Sequence, residues 1–214
     1  EGYVQAKNVC GHGRYKLYFS LNTDQPFQLE EQKETTACLT FGKKVRAVEV
    51  RIGLSALSSE LASWECARWE KMDFAELKSQ TGNQWEKQLS AIDVKGGKKD
   101  DKVIFYTSLY RAYLSPADVS SPDGAYLGTD GKVYISEDFR YYSNWSLWDT
   151  FRTKFPLLVL TEPARMRDMA TSLIHLYATG KKDWSTGFES TPTVRTEHAV
   201  ILLLDAYRKG ITTL

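Results

Sequence analysis

The residues best suited to chemistry lie in Tyr141–Pro156, YYSNWSLWDTFRTKFP, which holds six aromatic side chains, one carboxylate and two cations in sixteen positions. Ser146 is a candidate cap for a helix beginning at Leu147 and running to about residue 157. In such a helix Trp148 and Arg152, four apart, share a face, and Asp149 and Arg152, three apart, can pair. An indole beside a carboxylate and a guanidinium suits a polyhydroxylated ring. The indole covers apolar CH faces while the charged groups bind hydroxyls. The plainer reading is a core tryptophan with an intrahelical ion pair.

A second polar cluster fills 183–198 ahead of the apolar run AVILLLDAY. It contains Trp184, Glu189, Arg195, Glu197 and His198. Glu197 and His198 fall near a helix N-terminus, where the dipole favours a carboxylate and disfavours a charged imidazole. That predicts a neutral, hydrogen-bonding His198. Glu189 reads as well as a solvated loop residue as it does as a site residue, and Glu197 as well as a capping carboxylate. His175, inside MATSLIHLY, reads as a buried or half-buried helix residue, and Asp205 as a structurally paired one. His12, in the Gly-rich bend CGHGR, has no partner spacing around it. Cys10, Cys38 and Cys66 show no CxxC or metal-ligand spacing. They read as buried free thiols, although Cys10 and Cys38 could pair in an oxidising compartment. Nucleophile-elbow, P-loop, Rossmann and HExxH patterns are absent.

The elements that must position these residues change character along the chain. Residues 1–55 read as β, with alternation in Tyr15–Asn22, Thr36–Phe41 and Val45–Ser55 and a Gly-Lys-Lys turn between the last two. Residues 58–92 read as two helices, Glu60–Lys71 and one capped by Asp73. Asp93–Asp101 is a polar linker. Val103–Leu114 is an apolar helix ended by Ser115-Pro116. Residues 116–145 form a long connection with turn signals at Pro122-Asp123-Gly124 and Thr129-Asp130-Gly131. A connection of that length often decorates a site. Further helices are expected over 147–157, from Pro163 to Tyr177, and from about Thr193 to Lys209. Helices joined by long loops fit an α/α toroid better than a four-helix bundle.

The chain's 214 residues are 42% hydrophobic and 26% charged, enough for one large domain or two small ones. A net charge of +1 gives no strong field toward nucleic acid or an acidic membrane surface. No apolar run approaches the ~20 residues of a membrane span. The chain opens on strand-like alternation without Met and stops just after a helix, as expected of a piece of something longer.

FYTSLYRAYLSP, GAYLGTDGKVY, NWSLWDTFRTKFPLL and HAVILLLDAYRKGI resemble, in this order, stretches of glycoside hydrolase family 92, the calcium-dependent exo-acting α-mannosidases. VEVRIGLSALSSELA is similar to the end of that family's N-terminal sandwich. The resemblance implies an α+β multidomain fragment. Residues 1–55 would be the C-terminal part of an antiparallel β-sandwich, 56–102 a helical linker, and 103–214 the first helices of an (α/α)6 toroid. It implies a parent protein, secreted or periplasmic, that hydrolyses terminal α-mannosides of glycans with inversion, the sugar's 2- and 3-hydroxyls resting on calcium. Trp148 and Asp149 match the family's Trp-Asp and would be platform and hydroxyl acceptor, with Arg152 supporting Asp149. His198 keeps a family histidine, Glu189 aligns plausibly, and Arg195 departs from the commoner pattern and would suit an anionic substrate. The family's acid motif, of Thr-Leu-Glu-Tyr-Ala type, and base motif, of Asn-Asp-Asp-x-Gly-Gln type, do not occur here. No catalytic acid or base is therefore assigned, calcium ligands are expected outside this chain, and the chain alone is expected not to turn over. Two alternatives remain: a non-catalytic carbohydrate-binding or structural remnant of such an enzyme, and another (α/α)6 glycosidase or phosphorylase, against which the SLWDT context argues.

Overall fold

The computed structural model describes residues 1–7, 14–33, 36–179 and 198–211. The chain divides into two compact units, residues 1–4 with 17–80, and residues 5–16 with 81–214.

The first unit carries strands β1 (Gly2–Lys7), β2 (Arg14–Thr23), β3 (Phe27–Lys33), β4 (Thr36–Phe41) and β5 (Val50–Ser55) and helix α1 (Ser59–Arg68). The strands form a three-stranded sheet in the order β1-β2-β5 and a separate β3-β4 pair. β2 and β5 run antiparallel, with Tyr18 opposite Ser55 and Thr23 opposite Val50. The strand expected from Val45 begins only at Val50. The ladder stops because β2 ends at Thr23, where Asp24 takes over the pairing. Its Oδ1 accepts the Glu49 N–H at 2.8 Å, and its own N–H donates to the Glu49 carbonyl at 3.2 Å. Strand β3, FQLEEQK, lies outside the alternating runs because glutamates and glutamines mask its β character.

Ser58 caps α1, its side chain accepting the Leu61 N–H at 3.2 Å. The helix packs directly on β5 at Gly53. A Cβ there would run into the Ala62 carbonyl and lie 2.5 Å from the Cys66 nitrogen, so only glycine permits this approach. Cys66 is buried, as expected, and its thiol donates to the Arg51 carbonyl at 3.5 Å. Cys38 is exposed, contrary to the buried-thiol expectation, because its end of β4 lies open to solvent. Cys10 and His12 fall outside the described residues.

Helix α2 (Phe74–Leu89) follows, with the Asp73 Oδ1 accepting the Glu76 N–H at 2.8 Å. The second unit continues with α3 (Lys99–Tyr113), strands β6 (Ala117–Asp118), β7 (Ala125–Leu127), β8 (Val133–Ile135) and β9 (Tyr142–Ser143), and helices α4 (Leu147–Thr150), α5 (Lys154–Thr161), α6 (Pro163–Ala178) and α7 (His198–Arg208). Its core is helical. Met166, Met169, Ala170, Leu173 and Leu176 form one buried stripe of α6, meeting Phe155, Leu158 and Val159 of α5 and Ala199, Leu202 and Ala206 of α7. Glu162, held at φ −139° by the following proline, separates α5 from α6, and Pro163 takes the first helical position, where its missing N–H costs nothing.

The long connection folds into two small antiparallel pairs, β6 with β9 and β7 with β8. The turn signals work as their residue types predict. Asp123 Oδ1 accepts the Ala125 N–H at 3.1 Å and Asp130 Oδ1 accepts the Lys132 N–H at 3.1 Å. Gly124 has φ +84°, and a Cβ there would strike the Ser136 carbonyl. Arg140 braces the connection, donating from Nε to Asp118 Oδ2, from Nη1 to the Ser121 carbonyl and from Nη2 to the Ser120 carbonyl, each at 2.8 Å. Ser172, fully buried on α6, accepts the Tyr142 N–H at 2.9 Å and donates to the Asp168 carbonyl at 2.7 Å. The orphan backbone of β9 is thereby fastened to the core just before α4.

Candidate functional site

The segment expected to be one helix over 147–157 is two. A turn at 151–153 separates α4 from α5. Pro156 explains the break. Its ring has no N–H and would clash with the carbonyl four residues back, so it cannot sit inside a helix running on from Leu147. As the third residue of α5 its missing N–H falls among the orphan donors of a helix start.

The break changes the partners inside the motif. Ser146 sits at the N-cap of α4 but makes no side-chain cap. Its hydroxyl instead donates to Asp149 Oδ2 at 2.6 Å. The Asp149–Arg152 ion pair is not formed among the described residues. Arg152 lies in the turn rather than on the α4 face, and its guanidinium sits 5.1 Å from the Phe151 ring centroid, a cation–π contact. Trp148, Asp149 and Arg152 are all exposed, Trp148 at 50%. The plainer expectation of a core tryptophan therefore does not describe Trp148. Trp145, at 1% exposure, is the core indole of this motif and packs near Phe155 with centroids 6.0 Å apart.

His198, the first residue of α7, comes to this segment. Its ring lies edge-on to Trp148, with centroids 5.5 Å apart and planes at 90°, and tilted against Phe151 at 4.1 Å and 40°. His198 Nδ1 is buried with no partner among the described residues, and aromatic contacts hold the ring instead. Phe151 is the residue that sequence reasoning passed over. It is one of the six aromatics of the motif and lies three positions after Trp148, a spacing that sets two side chains next to each other on a helix. Glu189, Arg195, Trp184 and Glu197 lie outside the described residues.

The remaining expected residues have structural partners. His175 is half-buried, with Nδ1 3.1 Å from the Tyr126 hydroxyl and its ring 4.8 Å from Phe139. Asp205 accepts from Lys209 Nζ at 2.7 Å, one helical turn on. Burial pushes the Tyr141 hydroxyl well above the ordinary tyrosine range, with the neighbouring Tyr126 adding to it. Those two rings stack 4.1 Å apart at 14°. Burial also lowers Lys154, whose ammonium donates to Ser115 Oγ at 3.0 Å.

The sequence profile of the glycosyl hydrolase family 92 catalytic domain matches residues 61–214. The chain belongs to this family. Solved members share its fold across nearly its whole length. The family GH92 α-mannosidase BT3965 from Bacteroides thetaiotaomicron is similar at 26% identity and a TM-score of 0.83, over 95% of this chain and 31% of that one. The GH92 glycosyl hydrolase ccman5 is similar at 29% identity and a TM-score of 0.81, over 95% of this chain and 30% of that one. The GH92 inverting mannosidase BT2199 from Bacteroides thetaiotaomicron VPI-5482 shares the fold at 24% identity and a TM-score of 0.76, over 94% of this chain and 30% of that one. The chain thus spans somewhat under a third of the length of these relatives. No curated protein sequence matches it.

Family 92 membership raises the question of calcium. Among the described residues no three His, Cys, Asp or Glu side chains converge on a point that could hold a metal ion. A hard divalent cation needs several oxygen ligands. The donor set of the described residues does not fit one. Among the described residues no helix is long and apolar enough to cross a membrane.

Proposed function

We propose that this family 92 chain is part of an exo-acting glycosidase that removes terminal α-linked mannose from glycans, and that the Trp148–Phe151–His198 cluster forms part of its sugar-holding surface. The observation that carries the reading is the half-exposed Trp148 indole perpendicular to the His198 ring. An indole reached by solvent, with an imidazole beside it and the Asp149 carboxylate on the next residue, offers a CH-stacking platform and a hydroxyl acceptor together. Asp149 Oδ1 has no protein partner among the described residues, Oδ2 being taken by Ser146. The similarity to an α-mannosidase supports the sugar.

In this reading Arg152 lends a cation beside the platform rather than a salt bridge, and Glu189 and Arg195 are further substrate-binding residues. Residues 1–55 end a β-sandwich, 56–102 form the linker, and 103–214 begin an (α/α)6 toroid. Inversion requires a general acid and a carboxylate base roughly 6.5–9.5 Å apart. These, and the calcium ligands, are assigned to the rest of a longer, secreted or periplasmic parent. His198 would hydrogen-bond a sugar hydroxyl through a ring nitrogen.

The test is mannose release from terminal α-mannosides by the full-length parent, read by proton NMR so that the anomer formed first is seen. β-Mannose as first product, abolished by a calcium chelator and weakened by Trp148→Ala, is the expected result. Mannose binding without release would favour the non-catalytic reading. Release of a sugar phosphate only in the presence of phosphate would make the protein a phosphorylase.

A further inference from the structure

The second unit contains a cavity of about 270 Å³ that shares no residue with the Trp148–His198 cluster. It is walled by Gln84, Trp85 and Gln88 of α2, by Tyr113 at the end of α3, by Tyr142 of β9 and by Arg165 of α6. The volume is enough for one small molecule. Its charge is unbalanced. Asp118, also at the wall, is spent on Arg140, which holds its Oδ2 at 2.8 Å. Arg165 has no carboxylate within ion-pairing distance among the described residues. Asp168, the other carboxylate acting on the Tyr142 hydroxyl, lies 3.7 Å from Arg167 Nε, so each of the two acids has an arginine of its own. With the Gln88 amide oriented oxygen-first, that oxygen accepts from Nη1 and, at 3.3 Å, from Nη2, and the Tyr142 hydroxyl lies beside the guanidinium charge.

A further feature marks this as more than a packing gap. Trp85 presents an apolar ring at the same wall, braced against Tyr110 with centroids 4.5 Å apart. A guanidinium with unused N–H groups matches the planar or tetrahedral oxygens of a carboxylate or phosphate, and it does so best where no protein carboxylate competes.

We infer that this cavity is a binding site for a small molecule bearing an oxyanion, carboxylate or phosphate, with Arg165 gripping the anion and Trp85 covering an apolar face of the ligand. The site is independent of the mannosidase reading and survives its failure.

The experiment is calorimetric titration of the full chain with inorganic phosphate, citrate, mannose 6-phosphate and mannose, each at low and high sodium chloride. At least one of the three anions should bind, more weakly as salt rises, and mannose alone should not bind at this wall. Arg165→Gln should weaken the anion at least about tenfold. Gln84→Glu supplies a control that does not threaten the fold, because Gln84 is exposed. It adds a carboxylate at the wall and should weaken the anion while the thermal transition stays in place. Trp148→Ala should leave anion binding unchanged. Absence of binding by all three anions at millimolar concentration overturns the inference, as does anion binding indifferent to both Arg165→Gln and Gln84→Glu. Anion binding lost in Trp148→Ala but kept in Gln84→Glu would move the site elsewhere and equally overturn it.

Discussion

The His198 ring stands at 90° to the Trp148 indole with centroids 5.5 Å apart, joining two segments fifty residues distant in sequence. This edge-to-face arrangement places the positive rim of one ring on the negative face of the other, the geometry aromatic pairs prefer. Phe151, the C-cap of α4 and three positions after Trp148, completes the cluster from the same helix.

That arrangement has a spectroscopic consequence. With three histidines in the chain, the His198 ring protons can be assigned by difference with a His198→Gln variant. Ring currents from Phe151 and Trp148 should displace them from ordinary histidine positions. Phe151→Leu should shift them back part of the way and cost about 0.5–1.5 kcal/mol of stability. An unmoved His198 signal in Phe151→Leu would contradict the packing described above.

Ser172 is the fastening between the connection and the core. Ser172→Ala removes the acceptor of the buried Tyr142 N–H and should destabilise the chain by about 1–3 kcal/mol. Chemical denaturation measures this directly. Because Tyr142 leads into the Trp148 segment, amide exchange at 141–149 should speed up in the same variant. A loss below a few tenths of a kcal/mol would mean that water replaces the serine freely.

The stacked tyrosines fix the alkaline limit of stability. In the folded chain Tyr141 is held protonated above its ordinary range, whereas the unfolded chain ionises it near pH 10. Below that pH both states keep the proton and stability is unaffected. Above it the unfolded state alone loses the proton, so the folded state weakens as pH rises, by up to about 1.4 kcal/mol per pH unit for this group. Tyr141→Phe should move the alkaline unfolding midpoint upward. A midpoint unchanged by the substitution would show that other groups set the limit.

Two apolar faces lie open to solvent. On β5, Ile52 is 59% exposed and shares its face with Val50 and Leu54, while Val200, at 67%, shares an exposed side of α7 with Ile201 and Leu204. Apolar surface left in water costs roughly 25 cal/mol per Å². The 214-residue chain on its own should therefore self-associate in sedimentation velocity, and Ile52→Glu with Val200→Glu should reduce the association. A monomer with a sharp thermal transition in the unmodified chain would refute this.

The sequence by itself determined the helices that carry their own punctuation. Asp73 set the start of α2, Pro163 set the start of α6, and Asp123-Gly124 and Asp130-Gly131 set the two turns of the connection, because caps and turns depend on residues a few positions apart. It also supplied the long motifs by which the family was legible. Other features needed tertiary structure. β5 begins at Val50 rather than Val45 because its partner β2 runs out at Thr23, and a strand exists only as far as its partner pairs it. Asp149 bonds Ser146 rather than Arg152 because Pro156 breaks the helix that would have brought the pair together. His198 lies against Trp148 and Phe151 because α7 packs back on the end of α4. Such long-range contacts leave no periodicity in either segment, and only the packed chain decides them.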